Sequence, residues 1–307
     1  MSTAYDVEDN WARYILSKCR KWNGLWTFFN PSTVEVVQEL RVNKRARSGD
    51  GEHCVDHLIQ EELASNTDSE VEDQLSCQIS IVKDQALMLK QDRKLLKPFI
   101  RVKTLLGQFE VINFDYQHEV MLSWDLRLGD NKCYMFTFKR PGGLAHSVCY
   151  MHDANWQPTM LFIIREVMEL RELIKLSLHV TQCSENKLPP GDWKGTSKSI
   201  RVKYGLNHVP EDSTINHREV STQEVTMDPV AYCWGWSDNH EINFTNGFTL
   251  SLPQQDMGPI AGEFTVACNW IVSEREIRQI VIEYKDFLVS ELISYTYRIK
   301  DVAKTSQ

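Results

Sequence analysis

Histidine and tyrosine recur on one side of a short stretch, HSVCYMH (146–152). At a period of two, His146, Val148, Tyr150 and His152 share one side, and Ser147, Cys149 and Met151 share the other. An imidazole exchanges a proton near neutral pH and a phenol can donate one, so His146, Tyr150 and His152 are the candidate catalytic residues of a site that steers proton movement. The competing reading makes them hydrogen-bonded core or rim residues. A second constellation, VAYCWGWSDNHEINF (230–244), crowds Cys233, Trp234, Trp236, Asp238, His240, Glu241 and Asn243 into one predicted hairpin. As a metal site it lacks the four closely spaced ligands of structural zinc. It reads either as a turn at SDNH with buried aromatics, or as a pocket mouth with Trp236 as lid and His240 as polar contact. Trp124, Tyr134, Phe136 and Trp270 complete the candidate ligand contacts. The chain has no GxGxxG, P-loop, GxSxG or HExxH, and its nine histidines show no ligand spacing, so no cofactor and no metal are expected.

These residues must be positioned by strands. DVEDNWARYILSKCR (6–20) places Trp11, Ile15 and Cys19 on one helical face and predicts a short N-terminal helix. Beyond it the period changes to two: TVEVVQELRV (33–42), HEVMLSWDL (118–126), KCYMFTFK (132–139), HSVCYM (146–151) and TMLFIIRE (159–166) all read as strands. After residue 190 the pattern restarts, with strands expected at 197–204, 230–236, 241–244, 247–252, 263–272, 277–284 and 291–299. VMELRELIKLSL (167–178) conflicts, being rich in helix formers, and reads as a strand end or a linking helix.

A chain of 307 residues is long enough for two domains. The fractions of 42% hydrophobic and 25% charged residues are those of a globular protein, and no apolar run is long enough to span a bilayer as a helix. The first residues show no secretory signal. The expected location is therefore cytoplasmic, or plastid after removal of a transit peptide. Eight cysteines without a CxxC pair read as small hydrophobes or free thiols. A formal charge of -8 opposes phosphate-backbone binding, so no nucleic-acid partner is expected. The one basic cluster, RVNKRAR (41–47), is followed by the acidic EELASNTDSEVED (61–73), and together they read as a solvated, mobile loop over about 43–75.

The two halves also repeat. KWNGLW (21–26) and PGDWKG (190–195) both place a tryptophan two residues before a glycine. At the other end, setting His146 against Arg278 aligns SVCYMHDANWQPTMLFIIRE with QIVIEYKDFLVSELISYTYR without a gap, and Arg165 then meets Tyr297. With GDWKG, FTLSLP and EFTVACNW, these motifs resemble an uncharacterised two-domain lipocalin-like (calycin) family of cyanobacteria and photosynthetic eukaryotes, catalogued as a domain of unknown function. The resemblance covers roughly 20–180 and 188–300, and departs at Ala267 and Asn269 beside the tryptophan. It implies that each opening tryptophan packs under a basic residue of the last strand, Trp22 under Arg165 and Trp193 under Arg298.

The expected fold is all-β: two tandem antiparallel lipocalin-like β-barrels after a short N-terminal helix, the first within 1–182 and the second within 188–307. The expected function is binding of an apolar or amphipathic small molecule, of pigment, lipid or terpenoid type, in a barrel cavity. The alternative is a cofactor-independent cyclase, isomerase or lyase that folds a hydrophobic substrate inside the barrel and assists proton transfer. Oligomeric state is left open.

Overall fold

The structure, a computed structural model, describes residues 21–47, 53–62, 88–90, 100–104, 107–123, 126–127, 131–169, 180–188, 191–203, 217–227, 239–253 and 263–299. The predicted N-terminal helix, most of 167–178, Trp124, Trp236 and most of the 230–244 constellation lie outside them. The chain divides into two compact units, within Asp6–Thr181 and Gln182–Gln307. All regular elements among the described residues are strands, and no helix there is long and apolar enough to cross a membrane.

The first unit holds β1 (Lys21–Phe29), β2 (Val36–Arg47), β3 (His53–Glu62), β4 (Met88–Lys90), β5 (Ile100–Thr104), β6 (Gly107–Asn113), β7 (His118–Leu122), β8 (Lys132–Arg140), β9 (Leu144–His152) and β10 (Pro158–Val167). All neighbours pair antiparallel, and β1 pairs both β2 and β10, so the sheet closes into a barrel. Within the segment read as a loop over 43–75, residues 43–47 and 53–62 are instead paired strand, Asn43 opposite Ile59 and Arg47 opposite Val55. The rest of that segment, 48–52 and 63–75, lies outside the described residues.

The second unit holds β11 (Gln182–Cys183), β12 (Trp193–Lys203), β13 (His217–Met227), β14 (Asn239–Phe244), β15 (Phe248–Pro253), β16 (Phe264–Ser273), β17 (Glu276–Lys285) and β18 (Leu288–Ile299). These form one antiparallel sheet in the order β11-β14-β15-β16-β17-β18-β12-β13. The fold is thus all-β with two antiparallel sheets in tandem.

Period-two alternation gives each sheet two distinct faces. In the first unit, one lateral row runs Ile112, Val120, Phe136, Val148, Ile163, Thr27 across six adjacent strands, and every member is 0% exposed. This face also carries His146, Tyr150 and His152. On the opposite face the pair Met121 and Met135 is partly exposed. In the second unit the fully buried face carries Phe248, Leu250, Val266, Ile280, Ile282 and Leu292, all 0% exposed. Its other face mixes buried polar side chains, among them Thr249, Ser251 and Asn269, with buried apolar ones such as Ala267, Ile277 and Val281.

The repeat seen in the sequence has a structural cause. Gly24 on β1 lies opposite Glu166 on β10, and Gly195 on β12 lies opposite Tyr297 on β18, each facing the last strand of its unit. A Cβ at Gly24 would press on Glu166 Cγ at 3.1 Å and Arg165 O at 3.3 Å; at Gly195 it would meet Thr296 O and lie 2.7 Å from Tyr297 Cδ1. Both glycines allow the last strand to approach closely. They also correct the gap-free alignment. His146 and Arg278 do correspond, since Ala145 faces Glu166 as Ile277 faces Tyr297. On the last strand, however, Tyr297 matches Glu166 and not Arg165, a shift of one residue.

That shift decides the fate of the expected tryptophan pairs. Trp22 shares its face with Gly24 and Trp26, whereas Arg165 lies opposite Leu25 and points the other way. Trp193 opposes Ile299, while Arg298 opposes Lys194 on the other face, is 66% exposed and pairs with Glu276 at 3.5 Å. Neither pair forms as expected, because a one-residue offset in a strand exchanges faces. Trp193 instead packs with Ile277 and Tyr297.

Candidate functional site

The hairpin joining β9 to β10 builds the best-defined polar cluster of the first unit. His152, at the end of β9, is 2% exposed and lies opposite Lys132, itself 3% exposed. Its Nδ1 is 2.8 Å from Asp153 O, which can only accept, so Nδ1 carries the proton and Nε2 presents a lone pair. The Tyr134 hydroxyl, 3.3 Å from Nε2, is then the donor. Burial is the main cause that lowers the His152 pKa to about 4, with the bond to Asp153 O acting in the opposite sense and the Lys132 ammonium reinforcing the fall. The ring is therefore neutral at neutral pH, and Tyr134 offers it a proton.

Trp156 covers this pair. Its indole stacks on the His152 imidazole, with centroids 4.3 Å apart and planes 19° apart. The turn that holds it is built from Asp153, whose Oδ1 accepts from Asn155 N and Gln157 N at 2.8 and 2.9 Å. Trp156 N donates to Asp153 O, and Trp156 takes φ 63°, a left-handed conformation that a bulky residue rarely adopts. Strain of this kind clusters at sites where geometry matters more than stability. Strand alternation alone gives no role to Trp156 or Lys132. The signal was present in the Asp-x-Asn-Trp spacing, since Asp at the first turn position bonds the backbone two residues on.

Of the three candidate catalytic residues, the structure gathers two. Tyr150 pairs with Tyr134 and tilts toward His152 at 6.2 Å, and Phe136 follows on the same face. His146 lies six residues back along β9, roughly 20 Å away at strand rise. There it opposes Phe138 and Arg165. Arg165, 2% exposed, donates to Thr27 Oγ1 at 3.3 Å and sits 3.8 Å from Glu39, which also accepts from Thr27. Burial, then the Arg165 and Arg140 guanidiniums, lower the His146 pKa to about 3.

The second-unit candidates are not brought together. Trp270 is sandwiched between Phe248, at 5.4 Å and 8°, and the Arg278 guanidinium at 5.9 Å. His240 faces Leu252, four residues along β15 from the Phe248 that opposes Trp270, and burial lowers its pKa. Among the described residues no group of three or more His, Cys, Asp or Glu is placed to hold a metal ion.

No protein-family model matches the chain, and no curated protein matches it. Among solved structures, a protein of unknown function from the DUF3598 family of Nostoc punctiforme is similar with a TM-score of 0.55 at 11% identity, covering 95% of this chain and 99% of that one. The likeness is one of fold, and it spans both units.

Proposed function

We propose that the first barrel is lipocalin-like in use as well as in form, and binds an apolar or amphipathic small molecule of pigment, lipid or terpenoid type. The observation that carries this reading is the Tyr134–His152 pair under Trp156. It places a hydrogen-bonding head at one end of a buried face whose middle row is mostly apolar, with the polar groups His146, Arg165 and Thr27 toward the other end. A pocket of that composition holds a hydrophobic body by area and orients it through few polar groups. Trp124 stays part of the proposal as a further ligand contact in the first barrel, with Tyr134 and Phe136, while Trp236, His240 and Trp270 belong to the second unit and would serve a ligand of that unit by itself. Nucleic acid is not a partner in this reading, given the charge of -8. The proposed location is the cytoplasm.

The same pair favours a second reading, a cofactor-independent isomerase, cyclase or lyase. A neutral imidazole with its Nε2 lone pair turned to a phenol is a donor and acceptor in contact, which is what assisted proton transfer within a folded hydrophobic substrate requires. The two readings separate in one experiment. Native mass spectrometry of protein from its own host, followed by titration with 11-(dansylamino)undecanoic acid, tests binding. Tyr134→Phe and His152→Gln then test the head group. Retained probe with lost turnover of the co-purified compound marks an enzyme, and weakened probe in both variants marks a carrier. No co-purified compound and no saturable probe binding would defeat both.

A further inference from the structure

Sulfur side chains gather on the face of the first sheet that does not carry His152. On β8 this face holds Cys133 and Met135, and on β9 it holds Cys149 and Met151. The register sets Cys133 opposite Met151 and Met135 opposite Cys149, so the four form a block with the cysteines on one diagonal and the methionines on the other. Met121 continues it beyond Met135 on β7, and Met160 continues it beyond Met151 on β10. Of the chain's eight cysteines and nine methionines, six therefore lie side by side across four strands, a concentration that apolar packing alone does not call for, since leucine or valine would serve it as well. The two thiols touch, with Cys133 Sγ 4.0 Å from Cys149 Sγ. Both are buried, at 0% and 2% exposed, whereas Met121 and Met135 are partly exposed. Ser123 anchors the pair: its Oγ accepts from Cys133 N at 2.9 Å and its N donates to Cys133 O at 2.9 Å. Ligand spacing along the chain does not show this set, because Cys133 and Cys149 stand 16 residues apart and meet only through the β8–β9 hairpin.

Two thiols in contact can join as a disulfide or share an ion. The register disfavours the first. A disulfide needs Cα atoms about 4.4–6.8 Å apart, whereas diagonal neighbours on antiparallel strands stand about 7–8 Å apart. An ion asks only for the sulfurs. At metal–sulfur bonds of about 2.3 Å, sulfurs 4.0 Å apart subtend roughly 120° at the ion, which leaves a third position in the same plane. The thioethers of Met135 and Met151 belong to the residues on either side of that diagonal. Among the described residues no further His, Cys, Asp or Glu joins the two thiols in a metal-holding group, so zinc with its four ligands and the oxygen-seeking divalent ions are poorly served. Two thiolates with a thioether are the donor set of a soft monovalent ion, copper(I).

We infer that Cys133 and Cys149, with the thioether of Met135 or Met151 as third donor, form a copper(I) site on the β8–β9 hairpin of the first barrel. The ion takes the place of the two thiol protons, which leave to solvent, and two copper–thiolate bonds form; the thioether binds through a sulfur lone pair and gives up nothing. No group changes oxidation state. Met121 and Met135, at the partly exposed edge of the block, provide the way in, passing the ion from water to the buried thiols by exchange of one sulfur for the next. The site lies on the opposite face from Tyr134 and His152 and does not rest on the ligand reading of that face.

The test uses the full chain, reduced and kept from oxygen, with copper(I) supplied as its acetonitrile complex and bicinchoninate as competitor. Wild type should retain one copper(I) more than Cys133→Ala or Cys149→Ala, while Cys268→Ala, which removes a buried thiol of the second unit, should match wild type. Met135→Leu combined with Met151→Leu conserves volume and should weaken retention about tenfold or more. A cavity at a buried cysteine costs stability, so a second measurement uses no cysteine variant. X-ray absorption at the copper edge of selenomethionine-labelled wild type should show a copper–selenium path beside copper–sulfur paths of about 2.3 Å, and the double leucine variant should lose the selenium path. Equal retention by wild type and both cysteine variants, a missing copper–selenium path, its survival in the double leucine variant, or displacement of the copper by equimolar zinc(II) would each overturn the inference.

Discussion

At the scale of single residues, burial sets the ionisation of the first unit. His146 and His152 ionise near 6.5 in an unfolded chain and near 3 and 4 when folded. As pH falls, the unfolded chain takes up protons first, so the stabilisation is complete above about 6.5 and lost on the way down to the folded values. The slope in that window is on the order of 1.4 kcal/mol per pH unit for each histidine. Urea melts of the wild type between pH 7 and 4 should show it, and His146→Phe should flatten it; an equal slope in that variant would remove His146 from the account. Trp193, 1% exposed among Ile277 and Tyr297, should cost about 3–5 kcal/mol on truncation to alanine. Arg298→Ala should change stability by less than about 1 kcal/mol, since its pairing with Glu276 is largely solvated. Chemical denaturation of both variants distinguishes a packed tryptophan from one that leans on Arg298.

Elements carry their own strain and their own legibility. The β17–β18 hairpin turns through Asp286 and Phe287, both with positive φ at 52° and 61°. A two-residue turn of this kind suits Asn-Gly, and a phenylalanine there is held against its preference. Replacing the pair by Asn-Gly should stabilise the protein by about 0.5–1 kcal/mol, read as a raised denaturation midpoint. A lowered midpoint would mean that Phe287 burial outweighs the relief. Strand existence was legible from alternation: KCYMFTFK, HSVCYM and TMLFIIRE became β8, β9 and β10, and His146, Tyr150 and His152 do share a face. What alternation could not give was the register between strands distant in sequence. That register separates Trp22 from Arg165 and Trp193 from Arg298, and it assembles Asn243, Thr249 and Asn269 into a row. Strands β5 and β6, and β13 with its HREVSTQEVTM, went unread because their polar or short sequences lack a clean apolar period. Trp156 was hidden for a different reason, since its role depends on a turn conformation that residue type argues against.

For the molecule as a whole, the proposed division into a first unit ending near 182 and a second beginning near 188 can be sharpened by dissection. Gln182 and Cys183 pair with Phe244 and Asn243, and Asn186 donates to Phe248 O at 2.6 Å. A fragment spanning 182–307 should therefore unfold cooperatively and at higher denaturant than one spanning 188–307. If the shorter fragment is as stable, β11 and Asn186 contribute nothing to the second unit. If neither folds, the two sheets are one cooperative structure despite their separate cores. The repeat itself is a matter of shared strand logic: each unit has a Trp-x-Gly strand paired with its last strand, and each glycine lets that closing strand approach. The two lines of side chains then diverge: His146 on the first unit lies opposite Arg165, whereas Arg278 at the matching place in the second lies over Trp270.

The stacking of Trp156 on His152 has an optical side. An excited indole passes an electron readily to a protonated imidazole in van der Waals contact and much less readily to a neutral one. At a separation of 4.3 Å the pair is a built-in gauge whose light dims when His152 takes up a proton. The emission of wild type minus that of Trp156→Phe isolates this tryptophan from the other eight of the chain's nine. That difference should fall with a midpoint close to 4. Any compound that lifts the indole from the ring would brighten it at neutral pH, so the pair gives a label-free test of the binding proposed for this barrel.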